Sequence, residues 1–137
     1  SAFAAIPLTA RGHAQGVQFH SFHPSAEIPD SRWHCLAASG DTLVFYMAVR
    51  QLPVICENLL RHLDERDLPL AVIEQACTPY QQVHTSTLRN AMRDFAGRAF
   101  SSPSLLVLGE VVKLHEPYQW YNSLPVKGSL FHELAHT

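Results

Sequence analysis

Residues 42–49 read TLVFYMAV, an unbroken succession of eight apolar or small residues. A run of this kind, rich in β-branched and aromatic side chains, predicts a strand covered on both faces, as parallel sheets require. Gly40 and Asp41 mark its start, and Arg50-Gln51 returns the chain to water. A helical pattern follows at once, which puts the carboxyl end of the strand at a crevice of the sort in which open α/β sheets bind ligands. Met47 and Ala48 sit at that end. The pattern alone favours Met47 as core filler over ligand contact.

The helical pattern places Leu52, Ile55, Cys56, Leu59, Leu60 and Leu63 at spacings of 0, 3, 4, 7, 8 and 11, one face of a helix, with Pro53 in its first turn. Leu70–Ile73 reads as a second buried strand. Strand, helix and strand at this length predict a βαβ unit with parallel strands and a right-handed crossover. Gln81–Thr85 alternates around Val83 and is expected to return antiparallel to the strand before it. Leu88, Ala91, Met92, Phe95, Ala96 and Ala99 repeat the helical spacing, with Ser86 or Thr87 as cap. Residues 104–114, SLLVLGEVVKL, read as the last strong strand, with Gly109 a bulge or a point of close approach. Upstream, Ser1–Ala5 reads as the end of a small-residue helix, Val17–Phe22 as a strand, and Arg32–Ala38 as a short helix turning Trp33 and Leu36 inward. The sum is α/β: a mixed sheet of about five strands flanked by helices.

With 137 residues, 47% of them hydrophobic and 16% charged, the chain has the length and composition of one globular domain. Ten Lys+Arg against twelve Asp+Glu give a net charge of −2 with no basic run, which argues against a nucleic-acid partner. Cys35, Cys56 and Cys77 are sparse and odd in number, as expected of reduced thiols in the cytoplasm. No apolar run reaches the roughly 18 residues of a membrane span, and no signal peptide is evident. The opening SAFAAIPLTARG lacks a Met and reads as the middle of something larger.

His132-Glu133-Leu134-Ala135-His136 fits H-E-x-x-H, which on a helix sets two imidazoles toward a Zn²⁺ ion. A catalytic zinc needs a third ligand, the chain stops at Thr137, and nine histidines make a chance match easy, so no metal is expected. His20 and His23 read as loop histidines before metal ligands. Glu74, at the end of a buried strand, is as readily a turn-satisfying carboxylate as a site residue.

Four collinear stretches resemble a known family. IPLTARGHAQGV (6–17) is similar to the "GIPLTHRG.AQ" segment of the uroporphyrinogen-III C-methyltransferases, and TLVFYMAV to their "TLVFYMG" strand. IEQACTPYQQVHTSTL (73–88) resembles "VENGTTP.QRVVTGTL", and SPSLLVLGEVVKL (102–114) resembles "SPALIIVGEVV.L". The resemblance runs from Ser1 to about Trp120, leaving 121–137 as a tail. It implies the second lobe of a two-lobed α/β enzyme, typically a homodimer, that moves methyl groups from S-adenosylmethionine to uroporphyrinogen III, giving precorrin-2 for siroheme and cobalamin. The first lobe would carry the family's "GxGPGD" and "KGGDPF" segments and its general acid and base. None of these is in the sequence, so it implies no catalytic residue here and no catalysis by this chain alone.

The resemblance also implies cofactor contacts at Met47 and Ala76, with Ala48, Glu74 and Cys77 completing the same wall, and a substrate-carboxylate contact at Arg11. Four departures stand against it: the family's His is Ala10, its Gly of "ENG" is Ala76, its Arg of "QRV" is Gln82, and its Gly of "TGTL" is Ser86. An extra methyl at 76 crowds a site where Gly lets backbone approach a ligand. These departures leave open a second reading, a non-catalytic binding or dimerisation module with the same fold.

Overall fold

A computed structural model describes residues 2–23 and 27–121. Its five strands are β1 (Val17–Ser21), β2 (Thr42–Tyr46), β3 (Pro69–Glu74), β4 (Gln82–Thr87) and β5 (Ser104–Leu108), arranged β1-β2-β5-β3-β4. β1 runs parallel to β2, while β5 lies antiparallel to both β2 and β3, and β3 antiparallel to β4. The mixed α/β sheet expected from the sequence is therefore present.

The alternation of side chains along each strand divides the interior in two. Leu43 and Phe45 of β2, Leu70 and Val72 of β3, and Leu106 and Leu108 of β5 face one side. There they meet helices α1 (Asp30–Ala38) and α2 (Leu52–Leu60) through Trp33, Leu36, Ile55 and Leu59. Val44, Ala71, Ile73 and Val107 face the other side, against Ala4, Ile6, Ala14, Val111 and Val112. Each fully buried Leu or Ile contributes about 1.5–3 kcal/mol from the area it removes from water. In register, Leu106 lies between Phe45 and Val72, and Leu108 between Leu43 and Leu70. β5 is the centre of the sheet.

That placement corrects the simple βαβ reading. β2 and β3 do point the same way with α2 between them in sequence, but β5 is inserted between the two and runs against both. Hydrophobic periodicity reports that a strand is buried, not which strand lies beside it.

Three other expectations change. The helix expected over 88–99 shrinks to α3 (Ala91–Asp94), because Met92 and Ala99 face a surface groove rather than the core; with so little packing a short helix does not propagate. Thr87 and Ser86 close β4 instead of capping it: Asn90 stands at the cap, and its side-chain amide donates to Thr87 Oγ1 at 3.1 Å. The last strand stops at Leu108, where Gly109 at φ 139°, ψ 167° turns the chain into a 3-10 segment, Glu110–Leu114, followed by α4 (His115–Tyr118). Gly109 is a point of close approach as expected: a Cβ there would lie 3.3 Å from Thr42 Cα.

Candidate functional site

Because β5 opposes its neighbours, its first residues lie beside the last residues of β2 and β3: Tyr46 pairs with Leu105, and Glu74 with Ser104. Beyond this edge opens a groove of about 990 Å³. Met47, Ala76, Pro53 of α2, Met92 of α3 and Pro103 are among its walls.

Two sharp turns form the floor. Met47 leaves β2 at φ 55°, and Gln75 and Cys77 flank Ala76 at φ 45° and 65°. Left-handed backbone at residues other than Gly costs on the order of 1–3 kcal/mol each and persists only where the surroundings hold it. Those surroundings are visible. The Gln75 N–H donates to Pro103 O (2.8 Å), the Cys77 N–H to Gln81 Oε1 (2.9 Å), and Gln81 Nε2 to Phe3 O (3.0 Å). Glu74 accepts from Ser101 N–H and, through Oε1, from His84 Nε2 at 2.6 Å. The turn after β3 is thus tied to β4, to β5's approach and to the N-terminal segment.

The six residues singled out by the resemblance fall in different places. Met47, with 68% of its surface exposed, and Ala76 line the groove together. Ala48 is fully buried behind Met47, and Cys77 is exposed on the turn. Glu74's carboxylate is engaged internally by His84 and Ser101. Ala76 is not among the left-handed residues, so its methyl group carries no backbone strain. Arg11 lies elsewhere, on a second groove of about 600 Å³ with Ile6, Pro7, His13 and Trp120, which shares no lining residue with the first.

The sequence did not single out Arg50 and Arg98, which bring two guanidinium groups to the first groove. Arg50 had a signal, its position just after a buried strand, whereas Arg98 is placed by contact with a residue 14 positions away. Among the described residues no group of three or more His, Cys, Asp or Glu is gathered as for a metal ion. The H-E-x-x-H stretch lies outside the described residues. No helix among the described residues is long and apolar enough to cross a membrane.

The sequence profile of the Tetrapyrrole (Corrin/Porphyrin) Methylases matches residues 1–92, about two thirds of the chain. The chain belongs to the tetrapyrrole methylase family. It is 43% identical over 121 residues to a siroheme synthase of Pseudomonas aeruginosa, covering 88% of this chain and 26% of that protein. It thus spans about a quarter of the length of such relatives. A uroporphyrin-III C-methyltransferase of Thermus thermophilus, solved with S-adenosyl homocysteine, superposes with a TM-score of 0.65 at 30% identity, over 82% of this chain and 49% of the other. A cobalt precorrin-4 methyltransferase superposes with a TM-score of 0.69 over 81% of this chain and 47% of its own, and at 15% identity it speaks for the fold alone.

Proposed function

We propose that this chain is the cofactor-holding lobe, residues 1–120, of an S-adenosylmethionine-dependent methyltransferase that converts uroporphyrinogen III to precorrin-2. The 43% identity to a siroheme synthase and the 30% identity to a methyltransferase solved with S-adenosyl homocysteine support this reading. The observation that carries it is the meeting of Met47 and the 74–78 turn at one groove edge. The walls fit the group: an adenosyl moiety offers apolar ring faces and polar edges, and here an exposed thioether and apolar side chains adjoin turning backbone. When bound, S-adenosylmethionine supplies an electrophilic methyl group. Met47 and Ala76 hold its adenosyl end, Ala48 and Glu74 fix the two turns from behind, and Cys77 borders the site. Their contribution is orientation, which methyl transfer to a nucleophilic pyrrole carbon needs more than an activated protein nucleophile. Arg11, on its separate groove, is the partner for a carboxylate of the tetrapyrrole. The working enzyme is a cytoplasmic homodimer whose other lobe closes the groove.

The experiment is equilibrium binding of S-adenosylhomocysteine to the full-length protein and its Met47→Ala variant. Losing a largely apolar ligand contact is expected to weaken binding about tenfold. Equal affinity for the two proteins contradicts the assignment of Met47.

A further inference from the structure

The chain as a whole is negative, at −2, yet among the described residues the main groove is lined by Arg50 and Arg98 and by no aspartate or glutamate. Neither arginine is paired with a carboxylate among the described residues. Arg98 is nonetheless held in place. Its Nη1 lies 2.7 Å from His84 Nδ1 and 3.3 Å from His84 Nε2, and His84 Nε2 meets Glu74 Oε1 at 2.6 Å. A guanidinium donates and a carboxylate accepts, so the tautomer that satisfies the two shortest of these contacts is the one with its proton on Nε2. The side chains of Glu74 and His84 are only 9% and 15% exposed, and the His84 ring packs on Phe100 at 5.7 Å, so the two are fixed parts of the wall.

We propose that Arg98 is the carboxylate-recognising residue of this groove, aimed by His84 and Glu74 as a positioning pair. The inference rests on the methyl-transfer reading above and names the group that reads the ligand's charge. Arg98 contacts His84 through Nη1 alone, which leaves its other N–H donors for a ligand, and a guanidinium takes a carboxylate through two parallel N–H bonds. A cation on a wall without carboxylates favours an anionic ligand, and the His84 contacts remove rotamer freedom that binding would otherwise have to freeze out. Glu74 therefore serves twice, tying down the 74–78 turn through Ser101 and orienting the arginine through His84.

Both the methyl donor and the tetrapyrrole carry carboxylates, and four probes separate them: S-adenosylhomocysteine, 5′-methylthioadenosine (the donor without its amino-acid end), uroporphyrin III and coproporphyrin III, which has fewer carboxylates. Each is titrated into the full-length protein and into Arg98→Met, which keeps the apolar stem. A loss of about tenfold or more for S-adenosylhomocysteine with methylthioadenosine unchanged assigns Arg98 to the donor. The same loss for uroporphyrin III, smaller for coproporphyrin III and absent for the nucleosides, assigns it to the tetrapyrrole. His84→Val should weaken the same probe several-fold and His84→Gln, which can still donate and accept, should restore it. Unchanged affinity of Arg98→Met for all four probes overturns the inference, as does equal weakening of S-adenosylhomocysteine and methylthioadenosine. Equal affinities of His84→Val and His84→Gln overturn the positioning role. If the unaltered protein binds neither S-adenosylhomocysteine nor uroporphyrin III, the methyl-transfer reading itself falls and takes this one with it.

Discussion

His20 shows how one side chain can be displaced from its ordinary chemistry by the fold. Its ring lies 5.2 Å from that of Phe45 and its Nε2 is buried with no hydrogen-bond partner. Burial first, and the charge of Arg32 second, hold its pKa below the usual 6.5. The unfolded chain therefore binds this proton more readily than the folded one, so stability contributed at neutral pH is lost as pH falls below about 6.5 toward the lowered folded value. A His20→Phe variant should melt above the unaltered protein at pH 5.5, with the gap narrowing at pH 8; a gap that is constant with pH would contradict this. The cysteines offer a second check. Cys56 is buried on α2 and its thiol is pushed up to about 11, by burial and then by Asp67, whereas Cys35 and Cys77 are exposed. Since the thiolate is the nucleophile, a thiol reagent at pH 8 should label Cys35 and Cys77 in the native protein and Cys56 only on unfolding, as read by mass spectrometry.

At the level of elements, the strongest constraint is how little room β5 leaves at its end. Gly109 occupies a region of backbone space that is essentially glycine's alone, its N–H donates to Pro69 O at 2.9 Å, and an added Cβ would press on Thr42. Gly109→Ala is expected to lower the unfolding free energy by about 1–3 kcal/mol in urea titrations, through strain at this crossing of three strands. Gly109 was legible in the sequence because a glycine inside an apolar strand pattern has few other reasons to be there. α2 was legible for a related reason: Leu52, Ile55, Cys56 and Leu59 are all buried, so local spacing and tertiary packing agree. The 88–99 segment shows the limit. Its apolar spacing matches that of α2, but Met92 is exposed and Ala99 borders the groove, and a sequence does not tell an apolar stripe that meets a core from one that meets a ligand surface. The insertion of β5 and the Glu74–His84–Arg98 chain depend on pairings between distant segments, so local pattern carried no trace of them.

For the whole molecule, the sheet order places every sharp turn of the candidate site on one edge, where β2 and β3 end and β5 begins, while the helices and the N-terminal segment seal the two faces. In the enzyme proposed here, the other lobe would complete the groove at that edge. The strand pattern put Met47 at a crevice but favoured it as core filler, the resemblance made Met47 and Ala76 cofactor contacts, and their convergence in space is what local pattern alone had no means to express. The most direct measurement is methyl transfer itself: the full-length protein is incubated with uroporphyrinogen III and S-adenosylmethionine labelled in its methyl group, and the tetrapyrrole is isolated and weighed by mass spectrometry. The expected result is a product carrying two labelled methyl groups, formed together with S-adenosylhomocysteine. Saturable binding of S-adenosylhomocysteine with no label entering the tetrapyrrole would contradict it and leave a binding module with a methylase fold.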